Sequence, residues 1–139
     1  MFENRRNITI EWGDCDPAGI VYFPRYLAVF DACTWALFTA ALGMKKAALL
    51  QHYGTVGCPM VDLHARFLIP CTYGDEVMVE SRIAELRRSS FEVEHRLFKD
   101  GELAVEGRET RVWSAPDPDR PGRIKAQPIP ADVRERLGS

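Results

Sequence analysis

The sequence predicts an α+β fold in which an antiparallel sheet of about five strands wraps around one long central helix. Three observations lead there. The stretch from Pro24 to Gly43 is rich in helix formers and carries only Arg25 and Asp31 as charges. The second half of the chain is a succession of alternating polar and apolar runs separated by turn residues, the pattern of half-buried strands. Between two of those runs stands Asp100-Gly101, a strong hairpin signal.

Residues 7–12, NITIEW, alternate as the first strand, and GDCDPAGIVYF follows as a turn. The helix opens at Pro24, because proline is tolerated in a first turn where its missing N–H costs nothing. Leu27, Ala28, Ala32, Ala36, Leu37, Ala40, Ala41 and Leu42 favour helix, and Gly43 stops it. A helix with so few charges is expected to be buried on nearly all sides. Met44 to Tyr53 reads as a second, shorter helix, with Gly54 and Gly57 in the loop after it. Four strands follow: PMVDLHARFLIP, then EVMVESRIAEL after a TYGD turn, then RRSSFEVEHRLF, then ELAVEGRETRVWSA after a KDGE turn. Successive hairpins are expected to pair these four, with the first strand beside one of them. Beyond Trp113 the prolines at 116, 118, 121, 128 and 130 predict an irregular tail, with one helical turn in ADVRERL. No internal repeat or low-complexity run divides the chain, which reads as one domain over residues 1–139.

The composition excludes several functions. The chain of 139 residues is 46% hydrophobic and 27% charged, with a formal net charge of −2. That balance is globular and argues against bulk nucleic-acid binding, which needs a basic face. The longest apolar stretch, Tyr26 to Leu42, holds Asp31 and is too short for a membrane span. The MFENRRN start has no apolar signal-peptide core. Cys15, Cys33, Cys58 and Cys71 are widely spread with no C-x-x-C pair, which argues against a zinc site and for reduced thiols in a cytoplasmic protein. Nothing calls for a metal or a cofactor.

The acidic turn GDCDPAG raises the functional question. As a calcium loop, Asp14, Asp16 and Gly19 fit the first, third and sixth positions, but Ala18 and Arg25 stand where oxygen ligands are required. As an aspartyl-phosphate site it would belong at the end of a parallel strand, and this chain does not alternate strand and helix. Two readings stay open. One is a plain turn with a helix cap, made of ordinary turn residues. The other is catalytic: a helix starting near Phe23-Pro24 leaves unpaired N–H groups and a positive dipole end, able to polarise a carbonyl. Asp16, just upstream, could then attack that carbonyl's carbon or activate a water.

The run GDCDPAGIVYFPRYLAVFDA closely resembles the active-site segment of the 4-hydroxybenzoyl-CoA thioesterases of the hotdog-fold superfamily. The resemblance extends to GTVGCP before the second strand, LRRSSF at a strand junction and RV at the last strand. It implies the hotdog fold, an acyl-CoA thioester as substrate, and assembly as dimers, usually paired into tetramers, with active sites at the dimer interface. It implies no cofactor besides the coenzyme A of the substrate itself.

Residue by residue, the resemblance implies that Asp16 is the catalytic carboxylate, as nucleophile or general base, and that the backbone N–H of Phe23 polarises the thioester carbonyl; a relative has tyrosine there. Gly19 would let the loop pass close to substrate. Asp31 matches an aspartate that accepts a hydrogen bond from a phenol. A charge on an apolar helix is costly unless paired, so pairing with an arginine is the plain alternative. Asp31 lies eight residues past Phe23, about 12 Å along a helix axis. Cys58 matches a threonine that lines the acyl pocket; a thiol is the weaker donor. Arg87 and Arg88 match residues that contact the nucleotide phosphates of coenzyme A, with Ser89 and Ser90 as further donors, though adjacent arginines also suit a solvated strand end. A catalytic Cys58–His64 pair is conceivable but lacks a partner for the histidine, and His52 and His95 have no better case. A thioesterase for short-chain or other aromatic acyl groups, and an acyl-CoA-binding protein without activity, are the alternatives.

Overall fold

A computed structural model describes residues 1–138. Its elements run β1 (Glu3–Thr9), α1 (Pro24–Leu42), α2 (Lys46–Tyr53), β2 (Met60–Phe67), β3 (Glu76–Leu86), β4 (Ser90–Lys99), β5 (Glu102–Val112), β6 (Ser114–Pro116), β7 (Ile124–Ala126) and α3 (Ala131–Gly138). The five long strands form one antiparallel sheet in the order β1-β3-β4-β5-β2, and α1 lies across its inner face. This is the predicted α+β architecture.

The strand phase explains the packing. Val77, Val79, Ser81 and Ile83 of β3, Phe91, Val93, His95 and Leu97 of β4, and Val105, Gly107, Glu109 and Arg111 of β5 are buried. They alternate with exposed or half-buried residues, so one face of the sheet meets α1. Phe30 and Phe38 of α1 are buried against that face. Phe38 meets the rings of Phe91 and Trp113 at centroid separations of 5.4 and 6.4 Å. Full burial of each such side chain contributes about 1.5–3 kcal/mol. Gly107 on the inner face admits no side chain: a Cβ there would stand 2.7 Å from the Phe30 ring.

Four expectations need correction. The first strand starts at Glu3 and ends at Thr9, because Trp12–Asp14 form a short 3-10 turn capped by Glu11 and Asp14. The four later strands do not pair in succession. β3, β4 and β5 do, but β2 crosses to the far edge and pairs with β5. The hairpin pattern fixes neighbours only where the whole connection is short; the β2–β3 connection spans residues 68–75, and its TYGD turn, closed by the Asp75 N–H on the Thr72 carbonyl at 3.1 Å, does not bring β2 beside β3. The tail contains a small β6–β7 hairpin, and its helix has two turns, not one. Val133 and Leu137, four apart, are buried, and the Leu137 carbonyl accepts the Phe2 N–H at 2.8 Å. Finally, α1 is covered on one side only. Arg25, Ala28, Asp31, Ala32 and Ala40 stay exposed along its outer side, where mostly small residues leave little apolar surface to hide.

Candidate active site

The Asp16 loop is built from backbone turns. Asp16 and Ile20 bridge through an N–H to carbonyl bond of 3.1 Å, and the Gly19 N–H returns to the Asp16 carbonyl at 2.9 Å. Gly19 takes φ +84°, a left-handed conformation that side-chain-bearing residues rarely adopt. The Ala18 N–H donates to Asp16 Oδ1 at 2.8 Å, which orients the carboxylate. Among the described residues no donor reaches its second oxygen. The two aspartates of the loop differ in work. Asp14 accepts from the Glu11 N–H at 2.8 Å and from Arg25 Nε at 3.2 Å, and its carbonyl accepts the Tyr22 N–H. It is a structural knot; Asp16 is not.

Phe23 caps α1 in an already helical conformation, so its N–H points along the helix axis without an intrahelical acceptor. Val21 is buried, but Ile20, Tyr22 and Phe23 are exposed, and so are Phe67 and Leu68 at the end of β2. Phe23 and Tyr26 touch Phe67 at ring separations of 6.3 and 5.8 Å. The IVYF run thus forms an apolar rim beside the carboxylate rather than a core strand.

Asp31 sits elsewhere. It lines a groove of about 370 Å³ together with Trp35, Cys58, Pro59 and Arg111. The structure therefore joins Asp31 to Cys58, two residues that sequence places 27 apart. Arg111 Nη2 donates to Asp31 Oδ1 at 2.7 Å, so the pairing of Asp31 with an arginine is real. Half of the Asp31 side chain remains exposed, and Arg111 occupies only one of its two oxygens.

Behind Asp31 lies a buried polar network that the sequence reading missed. Arg111 donates through Nε to Glu109 Oε1 at 2.8 Å and through Nη1 to the Cys58 carbonyl at 3.2 Å. Glu109, fully buried, accepts from Thr34 Oγ1 and lies 3.4 Å from His95 Nε2. His95 Nδ1 is 2.7 Å from Ser81 Oγ, and its ring stacks on Phe30 at 4.8 Å. Burial works against the Glu109 charge, but the bonds from His95 and Arg111 outweigh it and hold the carboxyl below its usual range. Burial works against the Arg111 charge too, but its bonds to Glu109 and Asp31 raise it above its ordinary value. The signal was present: Val105 and Leu97 set the inward phase of β5 and β4, and period two then places Gly107, Glu109, Arg111 and His95 inside.

The cysteine–histidine alternative fails on geometry. Cys58 is buried, and burial pushes its thiol up to about 12. His64 is exposed on β2, beside Asp62 at 3.5 Å.

Arg87, Arg88 and Ser89 form the β3–β4 turn, and Ser90 opens β4. The turn's carbonyls are spent on the fold: Ser89 accepts from the Trp113 N–H, Arg88 from the Ile129 N–H and Arg87 from the Arg134 side chain. Arg87 is held by Glu85 and Glu92 at 2.9 and 3.2 Å. Arg88 is exposed and, among the described residues, its side chain reaches only Ser89 Oγ, at 3.4 Å. This turn and the Asp16 loop lie at opposite ends of the sheet. The loop follows Ile10, which bonds to Asp75 just before β3, whereas the turn follows the last residue of β3, roughly 30 Å away along an eleven-residue strand.

Residues 10–137 match the family described as "Thioesterase-like superfamily". The chain belongs to that family. It is 35% identical over 131 residues to the 4-hydroxybenzoyl-CoA thioesterase of Pseudomonas sp. (strain CBS-3), covering 91% of each chain. Its structure is similar to that of a 4-hydroxybenzoyl-CoA thioesterase, solved as an aspartate-to-asparagine mutant complexed with 4-hydroxybenzoyl-CoA, with a TM-score of 0.90, 31% identity and 99% of each chain covered. It is also similar to a gentisyl-coenzyme A thioesterase, with a TM-score of 0.82 and 29% identity over 98% of this chain and 100% of that one. The fold is the hotdog fold.

Proposed function

We propose that this thioesterase-family chain hydrolyses acyl-CoA thioesters, with 4-hydroxybenzoyl-CoA as the preferred substrate, releasing 4-hydroxybenzoate and coenzyme A without a cofactor. The observation that carries the proposal is the loop that presents a half-open Asp16 carboxylate beside the unpaired start of α1. The Phe23 N–H polarises the thioester carbonyl, and negative charge developing on that oxygen is met by the helix start. Asp16 attacks the carbon or deprotonates the attacking water. Asp31 accepts the phenol hydrogen bond at the far end of the acyl group, and Cys58 lines the same groove. Arg88 is the stronger candidate of the two arginines for the coenzyme A phosphates, because Arg87 is already paired.

The site works across two copies of the chain. β2 is an unpaired sheet edge with Val61, Phe67 and Leu68 exposed, beside the open side of α1. An apolar edge of this kind invites pairing with another copy. Such pairing would bring one copy's Asp16 loop to another's groove. We take the assembly to be a dimer that pairs into a tetramer. The spread, unpaired cysteines suit a reducing, cytoplasmic setting.

The test is steady-state hydrolysis of a panel of 4-hydroxybenzoyl-, gentisyl-, benzoyl- and short aliphatic CoA thioesters. The expected order places hydroxylated aroyl groups first by at least tenfold in kcat/KM. A flat profile would leave a general thioesterase, and micromolar binding without turnover on any member would leave an acyl-CoA-binding protein.

A further inference from the structure

Asp31 is an exposed carboxylate with a buried anchor. Its side chain is 51% exposed, the Arg111 side chain 4% and the Glu109 side chain 0%. Arg111 reaches three groups at once: Glu109 on its own strand, the Cys58 carbonyl on the loop before β2, and Asp31 on α1. A guanidinium is planar and its donors are fixed relative to one another. With Nε on Glu109 and Nη1 on Cys58, the direction in which Nη2 meets Asp31 is set. Glu109 is itself held by Thr34 from α1 and stands against His95 from β4. The chain of partners fixes the point at which Asp31 Oδ1 is held.

We infer that Arg111, braced by Glu109, is a specificity-determining positioning residue: it fixes the free oxygen of Asp31 so that the groove selects acyl rings by the position of their hydroxyl. This rests on the reading of Asp31 as the phenol acceptor. A carboxylate on an unbraced side chain would swing to meet a hydroxyl at the para or the meta position alike. A braced one offers a single acceptor at a single place. The same guanidinium ties the Cys58 loop to α1, so the two walls of the groove keep their spacing. The polar network explains itself on this basis. A core that needed only stability would do as well with apolar residues at 109 and 111, since buried ion pairs contribute little over well-packed hydrophobic replacements.

The experiment compares the wild type, Asp31→Ala, Arg111→Lys and the double variant on 4-hydroxybenzoyl-, 3-hydroxybenzoyl- and benzoyl-CoA. Arg111→Lys keeps the charge opposite Glu109 but loses the fork. The expected result is a fall of about tenfold or more in the preference for the 4-hydroxy over the 3-hydroxy substrate. Most of it should appear in KM of the 4-hydroxy substrate, with a smaller loss on benzoyl-CoA, which has no hydroxyl to place. Arg111→Lys should add nothing to the ratio in the Asp31→Ala background, as expected of residues acting as a unit. Equal loss on all three substrates, or additive effects, would assign Arg111 a purely structural role and overturn the inference while leaving Asp31 as phenol acceptor. A ratio unmoved by Asp31→Ala would overturn both. If Arg111→Lys does not fold, Glu109→Gln loosens the brace from behind and is held to the same outcomes. Dissociation constants for non-hydrolysable thioether analogues of the same acyl groups give the same ratios if turnover is absent.

Discussion

Asp16 and Asp31 lie fifteen residues apart and are held in opposite ways. Asp16 is positioned by its own neighbours: the Ala18 N–H, the Gly19 turn and the bridge to Ile20 all fall within four residues. Asp31 is positioned from eighty residues away by Arg111, which depends in turn on Glu109, His95 and Thr34. A locally built group keeps its geometry as long as its loop survives. A remotely built one reports on the packing of the whole sheet against α1. The proposed function thus puts the chemistry on the local device and the choice of substrate on the device that the core holds still.

The sharpest way to break this comparison is Asp16→Asn. The side chain keeps its shape and an acceptor for the Ala18 N–H, so the loop should survive. Loss of the carboxylate should lower kcat by about 10³-fold or more, with thioester binding within a few fold and the melting temperature nearly unchanged. Turnover that persists at wild-type rate would remove Asp16 from the reaction, and with it the proposed division between the two aspartates.

The remote device should fail differently, through stability. Glu109→Gln removes one charge from a buried pair and is expected to cost about 3 kcal/mol, read as a fall in midpoint on chemical denaturation. The cost should depend on pH with a definite sign. The Glu109 carboxyl is held below its ordinary 4.5 in the fold. A group with a depressed folded pKa contributes stability that is fully present above the unfolded value and lost as pH falls through the folded one. The gap between wild type and Glu109→Gln should thus be widest above about pH 5 and narrow steadily below 4.5. A gap independent of pH would mean that the Glu109 charge plays no part in holding Arg111.

The same difference decides what could be read from sequence. The Asp16 loop was legible because everything that shapes it is contiguous: Pro17, Gly19 and Pro24 mark its turns, and a long quoted run carries the family resemblance. The helix limits, the Asp100-Gly101 hairpin and the inward faces of β3 to β5 were legible from periodicity. The β2 crossover was not, since nothing within a strand names a partner forty residues on. Asp31 was visible as an anomaly, a charge on an apolar helix, but its partner was not. Glu109 and Arg111 stand in a strand, EGRETRV, charged on both faces, and only the inward phase set by Val105 separates them from the exposed Arg108. His95 was passed over for lack of a sequence neighbour, although its position between Val93 and Leu97 put it in the core.

The smallest effect sharpens the contrast within the loop itself. Asp14 and Asp16 are two residues apart, share a charge and are both half-buried. Asp14 spends its oxygens on the Glu11 N–H and Arg25, and Arg25 is half exposed, so the pair contributes at most about 1 kcal/mol. Asn at 14, the third position of the short 3-10 turn, retains an oxygen to accept the Glu11 N–H of the capping box. Asp14→Asn should therefore shift stability by less than about 1 kcal/mol and leave kcat within about threefold, with any loss diminishing at high salt. Equal collapse of turnover in Asp14→Asn and Asp16→Asn would show that the loop needs negative charge in general, whereas a thousandfold difference between neighbours of the same type isolates one carboxylate as the reacting group.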